Sequence, residues 1–194
     1  MKSIRLLAGI AVLSLILWAG AGCYQTKYPL GSADNATVDP AYVGNFTVPH
    51  QQSSTTDTST QPPATPATQP DIDGTIIIRN IDGHRYYVEC DDEKGNGSDP
   101  MRMIGYITDV NGVDIANLQM LDPDGKTPDS YFLMRVSLSP DHAKFSYRDF
   151  NDKFFTDKKI DSTDALLKVV AANLDNDQMY DGPTVTATRV EIKQ

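Results

Sequence analysis

Thr75-Ile76-Ile77-Ile78-Arg79-Asn80-Ile81-Asp82-Gly83-His84-Arg85-Tyr86-Tyr87-Val88-Glu89-Cys90 decides the fold. β-Branched and aromatic residues crowd both flanks, and Asp82-Gly83 between them suits the positive φ angles of a type I′ hairpin turn. A two-residue loop predicts Ile81 opposite His84, Arg79 opposite Tyr86, Ile77 opposite Val88 and Thr75 opposite Cys90. Cys90 then shares a face with Tyr86 and Val88, where a thiol packs as a small apolar group and is chemically quiet.

Downstream the same signals recur. Asn111-Gly112 lies between the strand-like runs 101–108 and 115–121, and marks a second hairpin. A strict two-residue loop sets Asp109 opposite Asp114, a like-charge pair that costs energy, so a wider register is expected. In 131–138 the alternation puts Phe132, Met134, Val136 and Leu138 on one face, and Pro140-Asp141 turns the chain into the run 143–150. Asp161 or Ser162 can cap a helix to about Ala172, with Leu166, Leu167, Val169 and Val170 on its buried side. A last strand spans 184–192.

This order predicts a mainly β fold, an antiparallel meander curled toward a small barrel, with one late helix before the final strand. Closure removes exposed strand edges. Upstream, Tyr42-Val43-Gly44-Asn45-Phe46-Thr47-Val48 also alternates like a strand. It belongs either to a leading segment over 23–50 or to the barrel, where it brings the strand count to eight. In the second case the residues that follow it form a long loop inside the fold, which loop-length statistics disfavour.

Those residues are Gln51 to Pro70, in which 17 of 20 are Thr, Gln, Pro or Ser. So little apolar surface cannot offset the entropy of ordering, and 51–73 is expected to be a disordered tether ahead of a β-rich domain over 74–194.

At the front, Lys2 and Arg5 precede an apolar run from Leu6 to Trp18, and Ala19-Gly20-Ala21-Gly22 leads to Cys23. A cationic start, an apolar core and small residues before a cleavage point describe a signal peptide over 1–22. Ala21-Gly22-Cys23 resembles the lipobox of bacterial lipoproteins, with Gly20 where that family usually has Leu. The resemblance implies a diacylglyceryl thioether on Cys23, an acylated amino terminus and a membrane held through that lipid. Tyr24, in place of the Asp that retains such proteins at the inner membrane, favours the outer membrane. Plain secretion and an uncleaved helix are the alternatives; in the first, Cys23 and Cys90 are free to pair in an oxidising compartment.

Setting aside Lys2 and Arg5 leaves 15 basic against 26 acidic residues, a balance of −11. Nucleic acid is therefore excluded as an expected partner, and anionic lipid headgroups repel the chain except through its anchor. His50, His84 and His142 have no partners at metal-ligand spacing, so no metal or other cofactor is expected. Asp91 to Asp99, Asp122-Pro123-Asp124-Gly125 and Asn173 to Asp177 are acidic loops without the full calcium-loop spacing. The sequence holds no nucleophile-elbow serine, metalloprotease helix motif, phosphate-binding loop or paired redox cysteines, and no catalytic residue is assigned.

The strand and helix order resembles the layout of the lipocalin and calycin group, small barrels with a helix before the last strand. Gly44-Asn45-Phe46 stands where that group has Gly, any residue, Trp. The resemblance implies a barrel that holds a small apolar ligand, with Tyr86, Val88, Phe132 and Met134 as candidate pocket residues. The expected role is a lipid-anchored scaffold or interaction protein of the cell envelope, contacting an envelope partner; the ligand-binding barrel is its alternative. A cavity separates the two.

Overall fold

A computed structural model describes residues 24–49, 72–92 and 99–191. Cys23, the leader before it and the whole Thr/Gln/Pro stretch lie outside the described residues. In chain order the strands are β1 (Gln25–Thr26), β2 (Gly44–Pro49), β3 (Ile72–Asn80), β4 (Tyr86–Asp92), β5 (Met101–Val110), β6 (Val113–Met120), β7 (Tyr131–Leu138), β8 (Lys144–Asp149) and β9 (Val185–Val190). Two helices, α1 (Asp152–Phe155) and α2 (Thr163–Ala171), fall between β8 and β9.

Among the described residues, β2 to β9 form a closed eight-stranded antiparallel barrel, each strand paired with the next and β9 returning to β2. The strand at Gly44–Pro49 is thus part of the wall, paired through Phe46 with Ile76 on one side and Arg189 on the other. It follows that the Thr/Gln/Pro stretch joins two hydrogen-bonded neighbours, β2 and β3, rather than a leading segment and a separate domain. The ninth strand, β1, extends the sheet by pairing with the start of β7.

The first hairpin departs from expectation by one residue. Ile76 faces Cys90 and Ile78 faces Val88, while Arg79 faces Tyr87. Of the turn residues only Gly83 takes a positive φ, and the Asp82 carboxylate accepts from the backbone N–H groups of His84 and Arg85. The loop closes through Ile81 N–H to the Arg85 carbonyl, so it holds three residues, not two. Because side chains alternate, that single residue puts Ile76 and Ile78 inside in place of Thr75 and Ile77.

The second hairpin is the strict type I′ turn, with Asn111 and Gly112 at φ 54° and 83°, and Asp109 does face Asp114. A wider register is unnecessary because each carboxylate has its own donor. Asp109 accepts from Gly112 N–H at 3.2 Å and Asp114 from the Tyr42 hydroxyl at 2.6 Å. In the third hairpin Phe132, Met134, Val136 and Leu138 all turn toward the barrel core.

Two apolar clusters result. The inner one fills part of the barrel, and the outer one lies where α2 and the stretch after β1 cover the outside of β5, β6 and β7. Ser162 caps α2, its hydroxyl accepting from Ala165 N–H at 3.1 Å. Leu166 and Val170, one turn apart, are buried against the wall, whereas Leu167, expected on the buried side, is 37% exposed because it turns away from the face those two share.

Candidate functional site

The wall strands enclose a cavity of ≈470 Å³ whose lining is mostly apolar. It begins at a floor of rings, with Phe145 edge-on to Tyr42, which in turn lies edge-on to Tyr86; Phe46, outside the lining, packs 5.5 Å from Phe145. Ile76, Ile78, Val88, Met103, Leu118 and Val136 form its sides. It reaches the surface at the opposite end, where Thr75, Asp91, Asp99, Pro100, Met101 and Asp149 stand around the opening. Met101, 43% exposed, marks this as the open mouth.

The other end of the barrel is shut by the chain itself. Residues leading into β2 cross it, with Val38 N–H donating to the Gly83 carbonyl and Asp39 N–H donating to the Tyr86 hydroxyl at 2.7 Å. His84 Nδ1 lies 2.6 Å from the Ala36 carbonyl, and since a carbonyl only accepts, this nitrogen carries the proton. Burial raises the Tyr42 and Tyr86 hydroxyls above the ordinary phenol range, Tyr86 to about 12, and both stay neutral donors within the floor.

Gly44-Asn45-Phe46 has a local physical reason at this closed end. Arg189, on β9, places its guanidinium 4.7 Å over the Phe46 ring and donates to the carbonyls of Ala41, Val43 and His142. A Cβ on residue 44 would collide with that guanidinium and push it off these partners. The arginine thus ties the closing segment, the first wall strand and the β7–β8 loop together.

Of the candidate pocket residues, Tyr86, Val88 and Met134 line the cavity. Phe132 is not among the lining residues; it packs partly buried against the inner cluster. Cys90 lines the wall near the mouth, and burial raises its thiol to about 11. Tyr42, Ile76 and Ile78 escaped the sequence reading. The shifted hairpin register hides Ile76 and Ile78, and Tyr42, first of the alternating run, ends the short turn Pro40–Tyr42 rather than starting a strand.

Elsewhere the polar residues singled out from sequence serve the turns. Asp122 accepts from Lys126 N–H at 2.7 Å and closes its own loop, and Asn176 caps the short turn Asp177–Met179. His142 sits in the β7–β8 loop at φ 56°, and His50 is outside the described residues. Among the described residues no group of three His, Cys, Asp or Glu side chains is placed to hold a metal ion. No protein-family model, curated protein or solved structure matches this chain.

Proposed function

We propose that the chain is a small-ligand-binding barrel of the cell envelope, held at a membrane through lipid on Cys23, whose cavity takes a molecule with an apolar body. One observation carries the binding part of this reading: an apolar cavity of ≈470 Å³ that is closed at one end and open at the other. That volume falls within the range of about 300–1,000 Å³ typical of small-molecule sites. A scaffold needs no such space, and a well-packed interior contains few voids larger than a water molecule. Among the described residues the exposed large apolar side chains are Ile81 in the first hairpin loop, Met101 at the mouth, Leu167 on α2 and Val190 at the end of β9.

The membrane part rests on the series Lys2, Arg5, 6–18 and Ala21-Gly22-Cys23. Several acyl chains, each methylene contributing about 0.8 kcal/mol on burial, anchor a protein firmly. Titration of the purified barrel with a polarity-sensitive apolar dye tests the binding. Val88→Phe, which fills the cavity from the wall, is expected to reduce dye affinity at least tenfold while thermal unfolding stays cooperative. Equal affinity in a folded Val88→Phe variant rules the cavity out as the site. Incorporation of a labelled fatty acid into the wild type and not into Cys23→Ser tests the anchor separately.

A further inference from the structure

The cavity has a polarity along its axis that a ligand must match. At the floor, both hydroxyls are already engaged with the protein: Tyr42 donates to Asp114 and Tyr86 bonds with the Asp39 backbone. The deep end therefore presents ring faces and aliphatic groups, and burial of an unbonded polar group there is unfavourable. At the mouth, the charged side chains of the lining are Asp91, Asp99 and Asp149, and among the described residues no Lys, Arg or His lines the cavity. Asp91 and Asp99 are exposed, at the outer lip.

We propose that this cavity selects amphiphiles whose tail is hydrocarbon and whose exposed end is cationic or a neutral hydrogen-bond donor, such as a long-chain amine or alcohol, and discriminates against fatty acids. The inference rests on the ligand-binding reading above and adds the sign of the ligand's head. A tail that enters first brings its head to the lip. There an ammonium group meets carboxylates of opposite charge, and a fatty-acid carboxylate meets, among the described residues, charge of its own sign. Such interactions at a solvent-facing rim weaken as salt shortens the screening length to about 10 Å at 0.1 M.

The test uses three probes of one chain length, dodecylamine, dodecanol and dodecanoate, each below its micellar concentration, in competition with the apolar dye at low ionic strength and neutral pH. The amine is expected to bind roughly tenfold or more tightly than the carboxylate, with the alcohol between them, and added salt should narrow the gap. In Asp91→Asn/Asp99→Asn, two exposed substitutions that leave the wall intact, the amine-to-carboxylate ratio should fall by about threefold or more while the alcohol is unchanged. Carboxylate binding equal to or tighter than amine binding overturns the proposal, as does a ratio untouched by the double substitution. Failure of all three probes and of the dye instead removes the ligand-binding reading itself.

Discussion

The two apolar clusters use similar residues to opposite ends. Of the eight largest fully buried apolar side chains, seven belong to the outer cluster: Leu30, Ile115, Leu133, Phe150, Leu166, Val170 and Met179. Only Phe46 represents the inner one, which leaves ≈470 Å³ unfilled. In most barrels the inside is expected to be the core. Here close packing has moved to the outside of β5, β6 and β7, where helix, amino-terminal stretch and wall meet. Stability gained there permits an interior that is incompletely filled and free to hold something else.

The largest effect should come from breaking the outer cluster. Leu166→Ala removes a side chain with no solvent exposure and should lower unfolding free energy by about 2–5 kcal/mol in denaturant titrations. Met134→Ala, on the half-filled inner wall, should cost clearly less, because the space it vacates adjoins an existing cavity. Equal losses at the two sites would erase the distinction between the clusters.

Chemistry at Cys90 sharpens the inner half of the comparison. Burial raises this thiol from its ordinary 9.0 to about 11, so its alkylation at pH 8 in a Cys23→Ser chain should run about 100-fold slower than that of a small free thiol. The rate should climb with pH until about 11, followed by mass spectrometry. The sign for stability follows from the same shift. The folded state favours the neutral thiol, so this contribution is complete below pH 9.0 and is lost as pH rises through about 11.

Asn117 tests the join between wall and cover. It is fully buried, accepts from Leu30 N–H at 2.7 Å and donates to Thr108 Oγ1 at 3.3 Å. Asn117→Ala should cost about 1–3 kcal/mol by leaving the Leu30 amide without an acceptor, and hydrogen exchange at Leu30 should accelerate. The smallest change is expected from Leu167→Gln, on the exposed side of α2, within about 0.5 kcal/mol of wild type. Its contrast with the adjacent Leu166 measures how sharply the helix divides cover from solvent.

Much of the wall is legible in the sequence because its signals are local. Asn111-Gly112 specifies its turn, and Phe132 to Leu138 alternates because one side faces the interior. The first hairpin defeats the same logic through side-chain chemistry. Asp82 accepts from the amides of His84 and Arg85 and lengthens the loop by one residue, which no strand pattern records. Of the outer cover only α2 is legible, through Leu166 and Val170, because the stretch after β1 is held by isolated contacts, such as Leu30 with Asn117, that have no period. Pocket residues were found where strand alternation exposed them, as at Tyr86, Val88 and Met134. Tyr42 was missed because closure of the barrel end depends on a contact with Asp114, 72 residues away.

Tyr24 is tied to the barrel at three points. Its N–H donates to the Phe150 carbonyl, its ring stacks on Phe155 at 4.1 Å, and Gln25 beside it is already paired with Phe132. Tyr24 is thus held on the barrel as on a fixed bracket. The bracket sits near the mouth, since Phe150 directly follows Asp149 at the rim. Pro49 and Ile72, the described residues on either side of the Thr/Gln/Pro stretch, are register partners in adjacent strands, so the chain leaves and re-enters the wall at one place.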